Sequence, residues 1–307
     1  MLSDSPAWMN CFVIAIIVYL LQLFPFPGIL FLTVGGPYWS VILINLGFLL
    51  IGFDVVRGRL SFPWLIAPGL WFVAYYVAVG FSYSQLKQLE AEIAAFNVGK
   101  FVGFDPAVND LVFEGLPDVP RRLLMAYEIP QAAMSTPGKS DCAPYLLHRL
   151  GTACAKGAGT LGKTANGCSI ITNRIRHPET GQLMNGVCLV MTSVQSTRPA
   201  VRVIDRHRQA ITTDFLVGEI RTFEVIGPKG ESTQVKWGVL RPLALFPLPV
   251  AGCTLISADP SWKCFAAFQK GGPYLAGAEI GSQGDVSDIV AKVLSLKSAP
   301  IAQLYPQ

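Results

Sequence analysis

The chain has 307 residues, 51% of them hydrophobic and 14% charged, and a formal net charge of +4. That is too apolar for an ordinary soluble protein, and long enough for a membrane part plus one real domain. The charge is mild and its Lys and Arg residues are not clustered, which argues against nucleic acid as a partner, because phosphate binding draws on basic clusters.

The apolar excess lies at the front. Residues 1–83 hold Asp4, Asp54, Arg57 and Arg59 as their only charged side chains, so nearly all the ionisable chemistry falls in 84–307. A helical span needs ~20 consecutive apolar residues, and the stretches near 7–24, 38–56 and 62–83 qualify, predicting three transmembrane helices. The first stops at Pro25-Phe26-Pro27-Gly28, where each proline lacks an N–H and crowds the preceding turn. It does not read as a cleavable signal, since residues 1–10 lack Lys and Arg and no small-x-small site follows. Residues 26–36 are apolar, glycine-rich and uncharged; a segment dipping into the interface and a short re-entrant piece both fit. Trp8, Tyr38, Trp39, Trp64, Tyr75, Tyr76 and Tyr83 lie mostly near the span ends, where amphipathic rings favour the headgroups.

Orientation follows from Arg57 and Arg59, the only basic residues among the spans, which the positive-inside rule places in the cytoplasm. The N-terminus is then cytoplasmic, and everything after Tyr83 lies on the opposite side. Asp54 closes the second span within reach of Arg57, which predicts a surface ion pair.

Leu50-Ile51-Gly52-Phe53-Asp54-Val55-Val56-Arg57-Gly58, between two spans, resembles the corresponding turn of bacterial type IV pilin accessory proteins. The likeness covers residues 40–80, and where that family favours proline after the glycine this chain has Arg59. It implies a role in pilin assembly or stability.

Residues 84–97 carry Leu86, Leu89, Ile93 and Phe96 at helical spacing and read as a helical stalk continuing the third span. Residues 101–114, broken by Asp105-Pro106 and Asn109-Asp110, read as strand, turn and strand. Residues 131–167 read as a long loop with a short helix at 145–150. Strands are expected at 168–174 and 187–194 about a turn at Pro178, then at 200–204, 211–217, 219–226 and 233–240. Residues 242–258 are uncharged, but prolines at 242, 247 and 249 favour a buried loop or edge strand over a fourth span. Asp285 is placed to cap a last amphipathic helix through Leu296, with Ile289, Val290, Val293 and Leu294 on one face. The fold class is thus an α-helical membrane anchor of three transmembrane helices (1–83), a stalk (84–97) and an α+β domain (98–307) with a mainly antiparallel sheet, stapled by disulfides.

The staples are Cys142, Cys154, Cys168, Cys188, Cys253 and Cys264; Cys11 falls inside the first span. An even set with no C-x-x-C pair suits an oxidising compartment, in agreement with the arginines. Cys253 with Cys264 is the most local pairing, Cys168 with Cys188 would clasp the Pro178 hairpin, and Cys142 with Cys154 would remain. His148, His177 and His207 lack ligands at metal-site spacing, so no metal is expected. No asparagine begins an N-x-Ser/Thr sequon, which tilts the compartment toward a bacterial periplasm.

Gly157-Ala158-Gly159-Thr160-Leu161-Gly162-Lys163-Thr164 matches the phosphate-cradling pattern G-x-x-x-x-G-K-[ST], but no apolar strand leads into it. It reads as a loop between Cys154 and Cys168, and neither a cofactor nor a catalytic constellation is expected. His207 sits between Arg206 and Arg208 and reads as a solvated turn. The expectation is a multi-pass inner-membrane protein with a periplasmic domain. Its partners would be the lipid bilayer and another protein of a pilus, secretion or conjugation apparatus. The alternative is an envelope enzyme, a hydrolase or thiol-disulfide protein, with a site scattered in sequence.

Overall fold

The computed structural model describes residues 6–33, 35–116, 119–135, 145–150, 162–163, 169–176, 183–193, 198–256, 261–277 and 286–298. It divides into two compact units. The first holds 1–87, 212–217 and 241–273, and the second holds 88–211, 218–240 and 274–307.

In the first unit, α1 (Ala7–Gln22) ends where the sequence predicts, and a new helix, α2 (Pro25–Thr33), begins on the prolines themselves. Proline is tolerated in a first turn because the N–H it lacks has no intrahelical partner there. A 3-10 turn (Gly36–Tyr38) leads into α3 (Trp39–Val56), and another (Phe62–Leu65) into α4 (Ile66–Asn97). Two helical segments, Trp39–Val56 and Phe62–Asn97, are long and apolar enough to cross a membrane, with mean hydropathies of 2.1 and 1.6. α1 is apolar but has only 16 residues, about 24 Å at the helical rise. Close approach of α1 and α3 rests on Gly47, where a Cβ would lie 2.8 Å from the Phe12 ring. The turn after α3 needs Gly58, which has a φ of 72°.

The same unit holds an antiparallel hairpin, β10 (Pro249–Ile256) with β11 (Ser261–Phe268), in which Cys253 pairs directly with Cys264. Within the stretch 242–258, Pro249–Ile256 form a strand, one of the two outcomes, buried loop or edge strand, that the prolines favour.

The second unit is built on a ten-stranded sheet in the order β12-β9-β8-β7-β1-β2-β3-β6-β5-β4. In chain order these are β1 (Asp110–Glu114), β2 (Gln131–Ser135), β3 (Tyr145–Leu150), β4 (Gly162–Lys163), β5 (Ser169–Arg176) and β6 (Leu183–Ser193). Then come β7 (Ala200–Thr212), β8 (Val217–Ile226), β9 (Ser232–Arg241) and β12 (Tyr274–Ala276). The sheet is mostly antiparallel; β1 runs parallel to both β2 and β7. Helices α5 (Val119–Ala126) and α6 (Val286–Val293) cover one face. Leu123 and Leu124 of α5 and Ile289, Val290 and Val293 of α6 share a core with Leu111, Phe113, Val201, Val203, Phe223 and Val225 of the sheet. The face predicted for the last helix is buried as expected, while Asp285 lies outside the described residues.

Several local readings are corrected. Residues 145–150 form strand β3, because Tyr145-Leu146-Leu147 finds neighbours in β2 and β6 whose pairing outweighs a weak helical preference. Residues 131–135 are strand β2, and of the strand pair expected at 101–114 only β1 forms. β7 extends to Thr212, so 211–217 is mainly the turn into β8, closed by Thr213 N–H donating to Leu216 O at 2.9 Å. The stalk is continuous with α4, but its distal half is packed rather than free: Ile93 is buried and lies against Gly238. Asn97 donates to Lys236 O (2.7 Å) and Gly277 O (3.0 Å) and accepts from Lys236 N–H (2.8 Å).

Candidate functional site

An apolar helix that contains a few polar residues places them where a hydrogen bond is needed, because an unpaired polar group away from water costs several kcal/mol. In the first unit such residues converge on the chain from Leu243 to Cys253. Ser82, fully buried in α4, donates to Phe215 O (2.7 Å) and accepts from Leu243 N–H (2.9 Å). Tyr75, also in α4, sets its hydroxyl 2.5 Å from Ala244 O and 3.0 Å from Phe246 O. Asn45 of α3 donates to Pro247 O at 3.0 Å and to Val41 O of its own helix at 2.8 Å. Ser40 donates to Pro249 O (2.8 Å) and accepts from Ala251 N–H (2.9 Å). Gln22, at the end of α1, accepts from Cys253 N–H and donates to Gly36 O, both at 3.1 Å, while its own carbonyl receives the Trp262 indole N–H at 3.0 Å.

Together these residues make a clasp. Each puts at least one polar atom on backbone between Leu243 and Cys253 that no sheet ladder satisfies, and prolines 242, 247 and 249 reduce the need by removing donors. Phe268 packs its ring 4.8 Å from Tyr75 and 5.5 Å from Trp71. Sequence reasoning passed over Gln22, Ser40, Asn45 and Ser82; their legible signal was polarity within otherwise apolar helices.

The disulfide expected as the most local pair is present, joining Cys253 to Cys264. Cys11 is a free, buried cysteine in α1. Cys142, Cys154 and Cys168 lie outside the described residues, and so do the pairings expected for them. Cys188 is in β6, with Arg174 and Leu150 opposite it in the two ladders. Of the phosphate-loop motif, Gly162 and Lys163 are described: they form β4, paired antiparallel with β5, where a phosphate loop would open a helix.

The topology residues occupy the turn between α3 and α4. Arg57 stacks over the Phe53 ring at 4.0 Å, and the partner of Asp54 is Arg59, at 3.7 Å, in place of the expected Arg57. Gly58 reverses the chain, which carries Arg59 back over the carboxylate.

The second unit offers two other arrangements. Arginines along β7 and β8 face acids of neighbouring strands, Arg202 with Glu114, Arg206 with Glu224 (2.6 Å), Arg208 with Glu219 (3.1 Å) and Arg221 with Asp205 (3.7 Å), and Arg221 also pairs with Glu219 of its own strand (2.6 Å). Burial holds the Asp205 carboxyl above its ordinary range, with Arg208 opposing. Exposed pairs of this kind contribute ~0–1 kcal/mol each. His207 lies on the exposed stretch of β7 and so belongs to a strand, not a turn.

Asp110 differs from these acids. It is 2% exposed at the start of β1; one carboxylate oxygen accepts from Gln131 Nε2 at 2.8 Å and the other has no hydrogen-bond partner. Among the described residues no group of three His, Cys, Asp or Glu is placed to hold a metal. Compared with protein-family models, with curated proteins and with solved structures, the chain matches none.

Proposed function

We propose that the chain is a membrane-anchored assembly or interaction protein of a bacterial envelope system, of the pilus, secretion or conjugation kind. In this reading α1, α3 and α4 are three spans of the inner membrane, with Arg57 and Arg59 cytoplasmic and the sheet unit periplasmic. The bilayer and a second envelope protein are its partners.

One observation carries the interaction reading. In the second unit the described large hydrophobics that stand exposed are Val98, Phe101 and Val108, at 76%, 62% and 55%, all within one short stretch after α4. Exposed apolar residues so grouped mark a contact surface more often than an accident of folding. A photoreactive residue at Phe101, irradiated in intact membranes, should join the protein to a discrete partner. Phe101→Ser with Val98→Ser should abolish co-purification of that partner. Recovery of the same partner by the double variant would overturn the reading.

A second reading, an envelope enzyme, draws support from Asp110, since a buried carboxylate with an unpartnered oxygen is costly and such groups gather at working sites. Asp110→Asn preserves shape and the Gln131 neighbourhood. Partner capture that survives this variant while a hydrolytic or thiol-exchange activity is lost would favour the enzyme.

A further inference from the structure

The clasp residues lie at graded depths along their helices. Going back along α4 from Ser82 to Tyr75 spans seven residues, about 10 Å at ~1.5 Å per residue. Going forward along α3 from Ser40 to Asn45 spans five residues, about 7.5 Å by the same rise. The chain they hold follows these steps: Leu243 at Ser82, Ala244 and Phe246 at Tyr75, Pro247 at Asn45, Pro249 and Ala251 at Ser40. It therefore descends along α4 and climbs back along α3, on the side of the helices away from Arg57 and Arg59. At the bottom, Leu245 and Phe246 are 68% and 53% exposed.

We propose that residues 242–249 are a re-entrant segment seated in the outer half of the bilayer, with Leu245 and Phe246 against lipid acyl chains. The proposal rests on the membrane reading above. In water the carbonyls of Ala244, Phe246 and Pro247 would be met by solvent and need no dedicated side chains, and two large apolar groups at the tip of the turn would be a liability. In hydrocarbon the requirements reverse: irregular backbone must be satisfied by protein, donors are best removed, and apolar side chains facing outward cost nothing. The carbonyls of Ala244, Phe246 and Pro247 and the N–H groups of Leu243 and Ala244 are met by protein, three prolines remove donors, and Leu245 and Phe246 face outward.

The occupant of the adjacent groove follows. Asn45, Leu46, Phe48, Leu49, Phe72 and Phe246 line a groove of about 410 Å³. Its one polar residue is Asn45, whose amide N–H groups are spent on Val41 O and Pro247 O and whose Oδ1, though without a partner, is buried beneath the apolar wall. An acyl chain matches a wall of this chemistry at this depth, and a polar or charged ligand does not.

The test places p-benzoylphenylalanine in the full chain at Phe246, at Leu49 as a helix control and at Phe101 as a domain control, and irradiates native membranes. Intact-mass spectrometry should find phospholipid-mass adducts at 246 and 49 and none at 101. Adducts at 49 without any at 246 would overturn the re-entrant segment and leave the membrane reading standing; absence at both would overturn the two together. A crosslink from 246 to a second copy or another protein would make the groove a protein site and sink the proposal. Should the Phe246 variant fail to fold, read as loss of the Cys253–Cys264 bridge in a non-reducing peptide map, the outward Leu245 takes its place, with the same outcomes.

Discussion

The β10–β11 hairpin and the ten-stranded sheet solve the same problem in opposite ways. Strands in the sheet satisfy their backbone through one another, and their charged side chains turn outward into pairs such as Arg206 with Glu224. The hairpin and the turn before it borrow uncharged side chains, Gln22, Ser40, Asn45, Tyr75 and Ser82, from apolar helices. The difference shows what each surrounding tolerates. A sheet face in water can carry full charges cheaply, whereas in the apolar helices uncharged polar side chains are placed where backbone needs a partner.

A graded set of changes probes that contrast. The largest effect belongs to the sheet core: Phe223→Ala should cost about 3–5 kcal/mol by leaving a cavity, read as early unfolding of the second unit with the Cys253–Cys264 bridge intact. Replacing both Cys253 and Cys264 by serine should cost about 3 kcal/mol, read as faster proteolysis within residues 242–273. An unchanged cleavage rate there would mean that the clasp alone holds the hairpin. Tyr75→Phe removes the one hydroxyl that the part-buried carbonyls of Ala244 and Phe246 share as a donor, for about 1–3 kcal/mol, with Ser82→Ala expected to act in the same direction. Arg202→Ala, by contrast, should cost under ~1 kcal/mol and lose even that at high salt, since Arg202 is half exposed in its pair with Glu114.

The smallest effect is in pH. Burial, aided by its hydrogen bond to Asp288 (3.0 Å), pushes Tyr127 up to about 12 from its ordinary 10.0. A raised phenol favours the neutral form in the fold, so its contribution is complete below pH 10 and lost as pH climbs toward 12. Wild-type stability should fall across that window more steeply than that of Tyr127→Phe, measured by denaturant midpoint. Equal slopes would assign the loss to other groups.

Much of this was legible because it depends on neighbours in sequence. The break at Pro25-Phe26-Pro27 and the basic turn at Arg57 and Arg59 are written locally, as is the buried face of α6. So is the preference of residues 242–258 for strand over span, since proline acts on its own turn. Residues 145–150 failed for the complementary reason: Tyr-Leu-Leu-His-Arg-Leu suits either state, and β2 and β6, distant in sequence, decide it. The expected pair of Asp54 with Arg57 failed on geometry, because the left-handed Gly58 brings the farther arginine, Arg59, back.

By itself the sequence determined where the chain is apolar, where its helices must stop and which cysteines lie close enough for a local bridge. These follow from composition and from the fixed geometry of proline and short loops. Only the tertiary structure decided that five scattered polar residues, between Gln22 and Ser82, act on one segment more than 150 residues downstream of the last of them. Hydrogen bonds reach about 3 Å and take no account of sequence distance, so their partners appear only once the helices and the turn share one space.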